Sequence, residues 1–250
     1  MSQEWIAGKN PVIEALKADR KIERIMIADT SKKGAAQEIR ALAGKKGIEV
    51  QEVSKKKLDE LDAGLHQGVA AAVPTYQYAG MDDLFRKAEK QNEDPFFLVL
   101  DGVEDPHNLG SMIRTANASG VHGVIIPKRR AAGVTQTVVK TSAGAVEYVP
   151  VVRVTNINKT LDELKDKGLW IAGTGTDNAS DYRQMQADMP LALVIGNEGK
   201  GLSRLVKEAC DFLVQIPMHG PVTSLNASVA GGVLMYEVMR KRQEKGRQTP

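Results

Sequence analysis

The sequence is poor in the residues that usually advertise a metal or thiol site. It holds one cysteine, Cys210, which excludes an internal disulfide and a cysteine-built metal cluster, and reads as a small buried apolar residue. Its four histidines are scattered and no H-E-x-x-H occurs, so no zinc pattern and no metal site is expected. Long apolar runs are missing, and no basic, apolar and small-residue succession opens the chain. No membrane span is expected, and the cytoplasm is the expected place of work. Strong charge of one sign is missing as well: 34 Lys/Arg face 31 Asp/Glu, a net charge of +3. Any nucleic-acid surface must therefore be local. The glycine-rich stretch Gly196–Gly201 is not a phosphate-cradling G-x-x-x-x-G-K-[ST], and Gly173-Thr174-Gly175 lacks the third glycine of a dinucleotide fingerprint.

What the sequence does contain is alternation of helical and strand-like segments over nearly its whole length. The front part suggests a helix at Pro11–Lys17, a strand at Arg24–Ala28, a helix at Ala35–Ala43, a strand at Ile48–Val53, a short helix capped by Ser54, and a strand at Val69–Val73. Residues 1–75 are expected to form a small α/β domain. Residues 76–95 read as a linker carrying one short helix, Met81–Glu89. From Phe96 the strands become longer and more continuously apolar: Phe96–Leu100, Gly123–Ile126, Val149–Val152, Trp170–Gly173, Leu191–Ile195 and Phe212–Ile216. Helices are expected at Ser111–Ser119, Ile157–Asp166, Ser203–Glu208 and Ala227–Arg242, and a frayed tail from Gln243. Apolar strands separated by helices imply a mostly parallel sheet covered on both faces, here over residues 96–250.

Three strand ends run into unusual loops. Phe96–Leu100 leads to Asp101 through Gly110 and then Arg114. Leu191–Ile195 leads to Gly196-Asn197-Glu198-Gly199-Lys200-Gly201-Leu202-Ser203. Phe212–Ile216 leads through Pro217-Met218 to Ser224-Leu225-Asn226-Ala227-Ser228. Strand ends followed by helix starts are where open α/β sheets bind ligands, because backbone N–H groups there lack internal partners. In this order the three blocks resemble the three motifs of the SpoU/TrmH branch of the SPOUT RNA methyltransferases. The front of the chain (Ile6 to Leu16, and His66-Gln67-Gly68-Val69) resembles the substrate-binding domain of a subgroup that methylates guanosine 2′-hydroxyls in large-subunit ribosomal RNA.

The resemblance implies a catalytic domain with a C-terminal trefoil knot, preceded by a small α/β RNA-binding domain of a kind also found in a ribosomal protein. It implies S-adenosylmethionine as cofactor, RNA as partner and a homodimer through the catalytic domain. By motif position, Gly196, Ile216 and Leu225 would bind the cofactor, with Met218 and Thr174 as further candidates. Residues Arg114, Asn108, Glu198, Ser224 and Asn226 would form the catalytic set. Arg114, too strong a base to lose its proton readily, suits stabilisation of a forming alkoxide and a grip on a phosphate. A helix starting near Leu109 would place it one turn in. Asn108 is also a good helix cap, as are Ser224 and Asn226. His107 is the neighbouring side chain with a near-neutral reference pKa. For RNA contact the candidates are Lys9, Asn10, His66, Lys55-Lys56-Lys57 and Lys128-Arg129-Arg130; turns, caps and solvated faces account for the same residues. The expected reaction is methylation of a guanosine ribose in 23S rRNA. The alternatives are transfer RNA as substrate and a non-catalytic RNA-binding assembly factor.

Overall fold

The computed structural model describes residues 4–17, 21–31, 34–61, 66–74, 76–221 and 223–248. By its contacts the chain divides into two units, Met1–Gln77 and Tyr78–Pro250.

The first unit contains β1 (Glu4–Ala7), α1 (Lys9–Lys17), β2 (Arg24–Ala28), α2 (Ala35–Lys45), β3 (Glu49–Val53), α3 (Lys55–Asp59) and β4 (Val69–Val73). Its sheet has the order β1-β4-β2-β3; β4 is antiparallel to β1 and β2, and β2 runs parallel to β3. The strand period of two sends Ile25 and Ile27 to the face packed by Leu16 and Ile39. Met26 and Ala28 go to the other face, with Leu58. Ser54 caps α3 as expected, its hydroxyl accepting the Lys57 N–H at 3.4 Å. Strand β1 is too short to have shown a sequence period, and it was not expected.

The second unit contains α4 (Met81–Gln91), β5 (Phe96–Asp101), α5 (Pro106–Ala118), β6 (Gly123–Pro127), α6 (Gln136–Thr141), β7 (Val151–Val154), α7 (Ile157–Asp166), β8 (Trp170–Thr174), β9 (Ser180–Asp181), β10 (Leu191–Gly196), α8 (Arg204–Ala209), β11 (Phe212–Gln215) and α9 (Ala227–Gln248). Seven strands form one sheet in the order β7-β6-β5-β10-β8-β11-β9, and every pairing in it is parallel. One face packs Phe97, Val99, Ile125, Ile171 and Val194 against Leu161 and Leu164 of α7. On the other side α9 meets α5 closely: a Cβ on Gly231 would lie 3.8 Å from both Met112 and Ile195, and one on Gly232 would lie 3.8 Å from Thr115.

The segment expected to be a linker is largely exposed but anchors to the second unit's core through Leu84 and Ala88. Leu84 of α4 is fully buried and occupies the space a side chain at Gly123 would need, and Phe85 meets Phe97 edge-on with ring centroids 5.0 Å apart. The amphipathic stretch was legible, but not the strand glycine that receives it. Helix α5 starts at Pro106 rather than near Ser111. The side chain of Asp105 accepts the His107 N–H at 2.8 Å and proline occupies the first turn, where no N–H is needed. Helix α9 runs on to Gln248, past the point where a frayed tail was expected.

Candidate active site

Because all seven strands are parallel, the loops after β5, β6, β8, β10 and β11 leave from the same edge of the sheet. A cavity of about 840 Å³ opens there, walled by the loops after β8, β10 and β11 and by the start of α9. Its lining includes Thr174, Gly196, Ile216, Met218 and Leu225, so the structure brings all five expected cofactor residues together. Glu198 and Ser224 line it too. So do Asp177 and Lys207, an ion pair of 3.1 Å that was not singled out from the sequence.

The glycine loop after β10 is held by Asn197. Its Nδ2 donates to the Gly102 carbonyl at 2.9 Å, across to the loop after β5. Its Oδ1 accepts the N–H groups of Gly199 (3.0 Å) and Lys200 (3.2 Å). Backbone bonds between Asn197 and Gly201 close the turn, with Gly201 at φ +65°. Gly196 lies under this turn, where a Cβ would collide with Gly201 and the Leu202 N–H. Glycine is therefore required at 196 by the packing of the turn's own backbone. The asparagine before E-G-x-G was the sequence signal for this Asx-type turn, and it went unused.

Three of the five expected catalytic residues form one hydrogen-bond chain. Asn226 caps α9: its Oδ1 accepts the N–H of Ser228 at 2.9 Å and of Val229 at 3.3 Å, and the Ser228 hydroxyl at 2.6 Å. With its oxygen so committed, Asn226 turns its Nδ2 to Asn108 Oδ1, 3.0 Å away. Asn108, 7% exposed, then has its own Nδ2 free for Oε1 of Glu198. The helix end fixes the orientation of both amides, and the chain terminates at an acceptor, as an ionised Glu198 requires. Asn108 lies inside the first turn of α5, so the capping role considered for it belongs to Asp105.

Arg114 is not drawn into this chain. Since α5 begins at Pro106, Arg114 lies about 12 Å along it, more than two turns in. It is exposed and forms no hydrogen bond or ion pair with another described residue. His107 is exposed on the same helical face, with Nδ1 3.4 Å from the Thr141 hydroxyl.

The expected RNA contacts divide. Lys128, Arg129 and Arg130 are exposed just past β6, on the edge that carries the cavity. Asn10 is exposed and Lys9 half-buried in the first turn of α1. His66 is only 8% exposed, with Nε2 2.8 Å from Asp59 Oδ1 and Nδ1 accepting the Gly68 N–H at 3.0 Å. Its ring is committed to the turn around it and is not offered to a ligand. Cys210 donates to the Val206 carbonyl, and burial pushes its thiol up to about 12.

An all-parallel sheet with a glycine-walled cavity at its carboxyl edge has the arrangement in which open α/β proteins bind their ligands. Comparison with known proteins makes this particular. Residues 95–236 match the SpoU rRNA methylase family, and residues 5–79 match the RNA 2′-O ribose methyltransferase substrate-binding domain. A protein of Bacillus subtilis (strain 168), YacO, named for the TrmH family of tRNA/rRNA methyltransferases, is 58% identical over 98% of this chain and 100% of its own. The AdoMet-bound rRNA methyltransferase from Sinorhizobium meliloti superposes with a TM-score of 0.61 at 26% identity, covering 95% of this chain and 87% of its own. The A. aeolicus TrmH/SpoU tRNA modifying enzyme gives 0.58 at 29% identity, covering 65% and 86%.

The chain belongs to the SpoU rRNA methylase family: it is an RNA methyltransferase with a SPOUT-type fold, and S-adenosylmethionine is its cofactor. The cavity fits that molecule. Apolar walls from Ile195, Leu202, Val214, Ile216 and Leu225 suit an adenosine. No helix among the described residues is long and apolar enough to cross a membrane.

Proposed function

We propose that the enzyme methylates the ribose 2′-hydroxyl of a guanosine in 23S rRNA. The observation that carries this reading is the chain Asn226–Asn108–Glu198, which ends in a carboxylate at the rim of the cofactor cavity. The cofactor supplies a methyl group already activated on a sulfonium, so the protein has to orient a hydroxyl and manage one proton. Glu198, its Oε1 held by Asn108, keeps Oε2 for the acceptor hydroxyl and takes up its proton as the oxygen gains the methyl group. Arg114, exposed and about 12 Å along α5, is given the developing oxygen charge and the neighbouring phosphate by the family resemblance alone, and Arg114→Ala tests that role. Lys128, Arg129 and Arg130 hold the RNA backbone on the same sheet edge.

Ribosomal RNA is favoured over transfer RNA by coverage. The solved neighbour named as an rRNA methyltransferase spans 95% of this chain, small unit included, whereas the one named as a tRNA modifying enzyme spans 65%. A homodimer is supported by Val229 and Tyr236, 51% and 46% exposed and seven residues apart on one face of α9. The trefoil knot is proposed from the family fold, and work in the cytoplasm from the RNA substrate.

The test is methyl transfer from labelled S-adenosylmethionine to unmodified 23S rRNA and to transfer RNA, with Arg114→Ala alongside. A mapped 2′-O-methylguanosine in 23S rRNA that disappears in the variant is the expected result. Label in transfer RNA alone would move the substrate assignment, and base rather than ribose methylation would overturn the proposed chemistry.

A further inference from the structure

The sheet of the first unit gathers several chain segments at one end. Strand β1 finishes at Ala7, opposite Ala70 of β4, and β2 finishes at Ala28, opposite Val53 at the end of β3. The Gly8 N–H donates to the Val69 carbonyl at 3.0 Å and the Ala28 N–H to the Gly68 carbonyl at 2.8 Å. Lys9, Gln67 and Lys55-Lys56-Lys57 therefore share one end of this sheet. The three lysines are exposed and form no ion pair with another described residue. Elsewhere in the unit Lys17 pairs with Glu38 at 3.2 Å and Arg40 with Glu52 at 2.6 Å.

In the middle of this end stands a residue in an unfavourable conformation. Gln67 has φ +48°, in the left-handed region that suits glycine, yet it carries an exposed amide side chain. Its surroundings keep it there. The buried His66 ring bonds Asp59 on one side and the Gly68 N–H on the other, and the His66 carbonyl accepts the Val69 N–H at 2.8 Å. Gly68 follows at φ +80°, with the Ser31 hydroxyl 2.6 Å from where a Cβ would stand. Backbone strain held in place by a buried ring, at a residue whose polar side chain is left exposed, is of the kind that gathers at ligand contacts.

We propose that this end of the small unit reads RNA. Lys9 and Lys55-Lys56-Lys57 take backbone phosphates, and the Gln67 amide, one donor beside one acceptor, bonds the edge of an unpaired base. His66 is a positioning residue that sets the Gln67 backbone. The inference rests on the reading of the small unit as the part that selects the RNA.

The experiment compares the full-length protein with Gln67→Gly, Gln67→Asn and His66→Ala. Affinity for unmodified 23S rRNA and transfer RNA transcripts is measured by fluorescence anisotropy, alongside melting temperature and methyl-transfer kinetics. Gln67→Gly should melt no lower than the parent, since glycine relieves the strain, while the Kd and KM for RNA rise about tenfold and kcat and cofactor affinity stay unchanged. Gln67→Asn, which tolerates the same φ and keeps an amide, should recover part of that loss. His66→Ala should raise KM without lowering kcat. Unchanged RNA affinity in Gln67→Gly would overturn the proposal. If neither transcript accepts a methyl group, the substrate assignment fails by itself, and the direct affinities still decide the role of Gln67.

Discussion

The two ends of the second unit's parallel sheet are made by the same strands and use their charges in opposite ways. At the amino end, Arg242 of α9 is spent on the protein. Its guanidinium donates to the carbonyls of Ala187, Asp94, Pro95 and Met189 and lies over the Phe96 ring at 5.1 Å. Fully buried His122 beside it accepts the Phe96 N–H at 2.9 Å and reaches Glu93 at 3.2 Å. At the carboxyl edge, Lys128, Arg129 and Arg130 stand exposed, with no ion pair to another described residue. At the amino end the cation is consumed in closing the fold, whereas at the carboxyl edge the basic residues after β6 are left to solvent beside a cavity whose own amides are bonded within the chain.

The contrast predicts which substitutions cost activity and which cost stability. The largest effect is expected at Gly196→Ala: a methyl group there displaces the Gly201–Leu202 backbone, and cofactor affinity measured by calorimetry should fall at least a hundredfold. Next, Asn108→Ala removes the middle of the hydrogen-bond chain. It should lower kcat by about a hundredfold with little change in cofactor Kd, the size of one lost preorganised contact. At the amino end the signature reverses. Arg242→Ala should remove about 2 kcal/mol of stability in urea unfolding, by stranding several carbonyls, yet leave kcat near that of the parent at a temperature where both are folded. A loss of kcat there would break the comparison.

A smaller effect concerns pH. Burial lowers the His122 pKa from its ordinary value, against the raising influence of Glu93 and with help from the positive charges of Arg242 and Lys87. A depressed folded pKa gives stability that is complete above the unfolded value, about 6.5, and is lost as pH falls through the folded one. Unfolding followed from pH 7.5 to 5 should show that decline, with a shallower slope in His122→Asn. Smallest of all, Cys210 should react negligibly with a thiol reagent at pH 8 in the native protein, and promptly in denaturant.

Much of this contrast could be read from residue order. The strand expected at Leu191–Ile195 is β10 less one residue, and the one at Phe96–Leu100 is β5 less one, because continuous apolar runs ended by glycine or acid leave little choice. The five cofactor positions came from the family resemblance, and all of them line the cavity. Other features were hidden for definite reasons. Helix α6 is rich in β-branched residues, and β9 is two residues long, so neither carries a helical or strand period. The start of α5 was misplaced because Asn108 and Gly110 look like punctuation. In the fold Gly110 is an interior helix position where Thr141 packs against the backbone. The chain of amides joins Asn108 to residues 90 and 118 positions away, a link that no local pattern encodes.

The cap on α9 also has a consequence for timing. Asn226 fixes the direction of the amide chain only while its oxygen is held by the N–H groups of Ser228 and Val229. Those groups belong to a helix made after every strand of the sheet. The amide chain therefore cannot be complete until every strand of the sheet has been made.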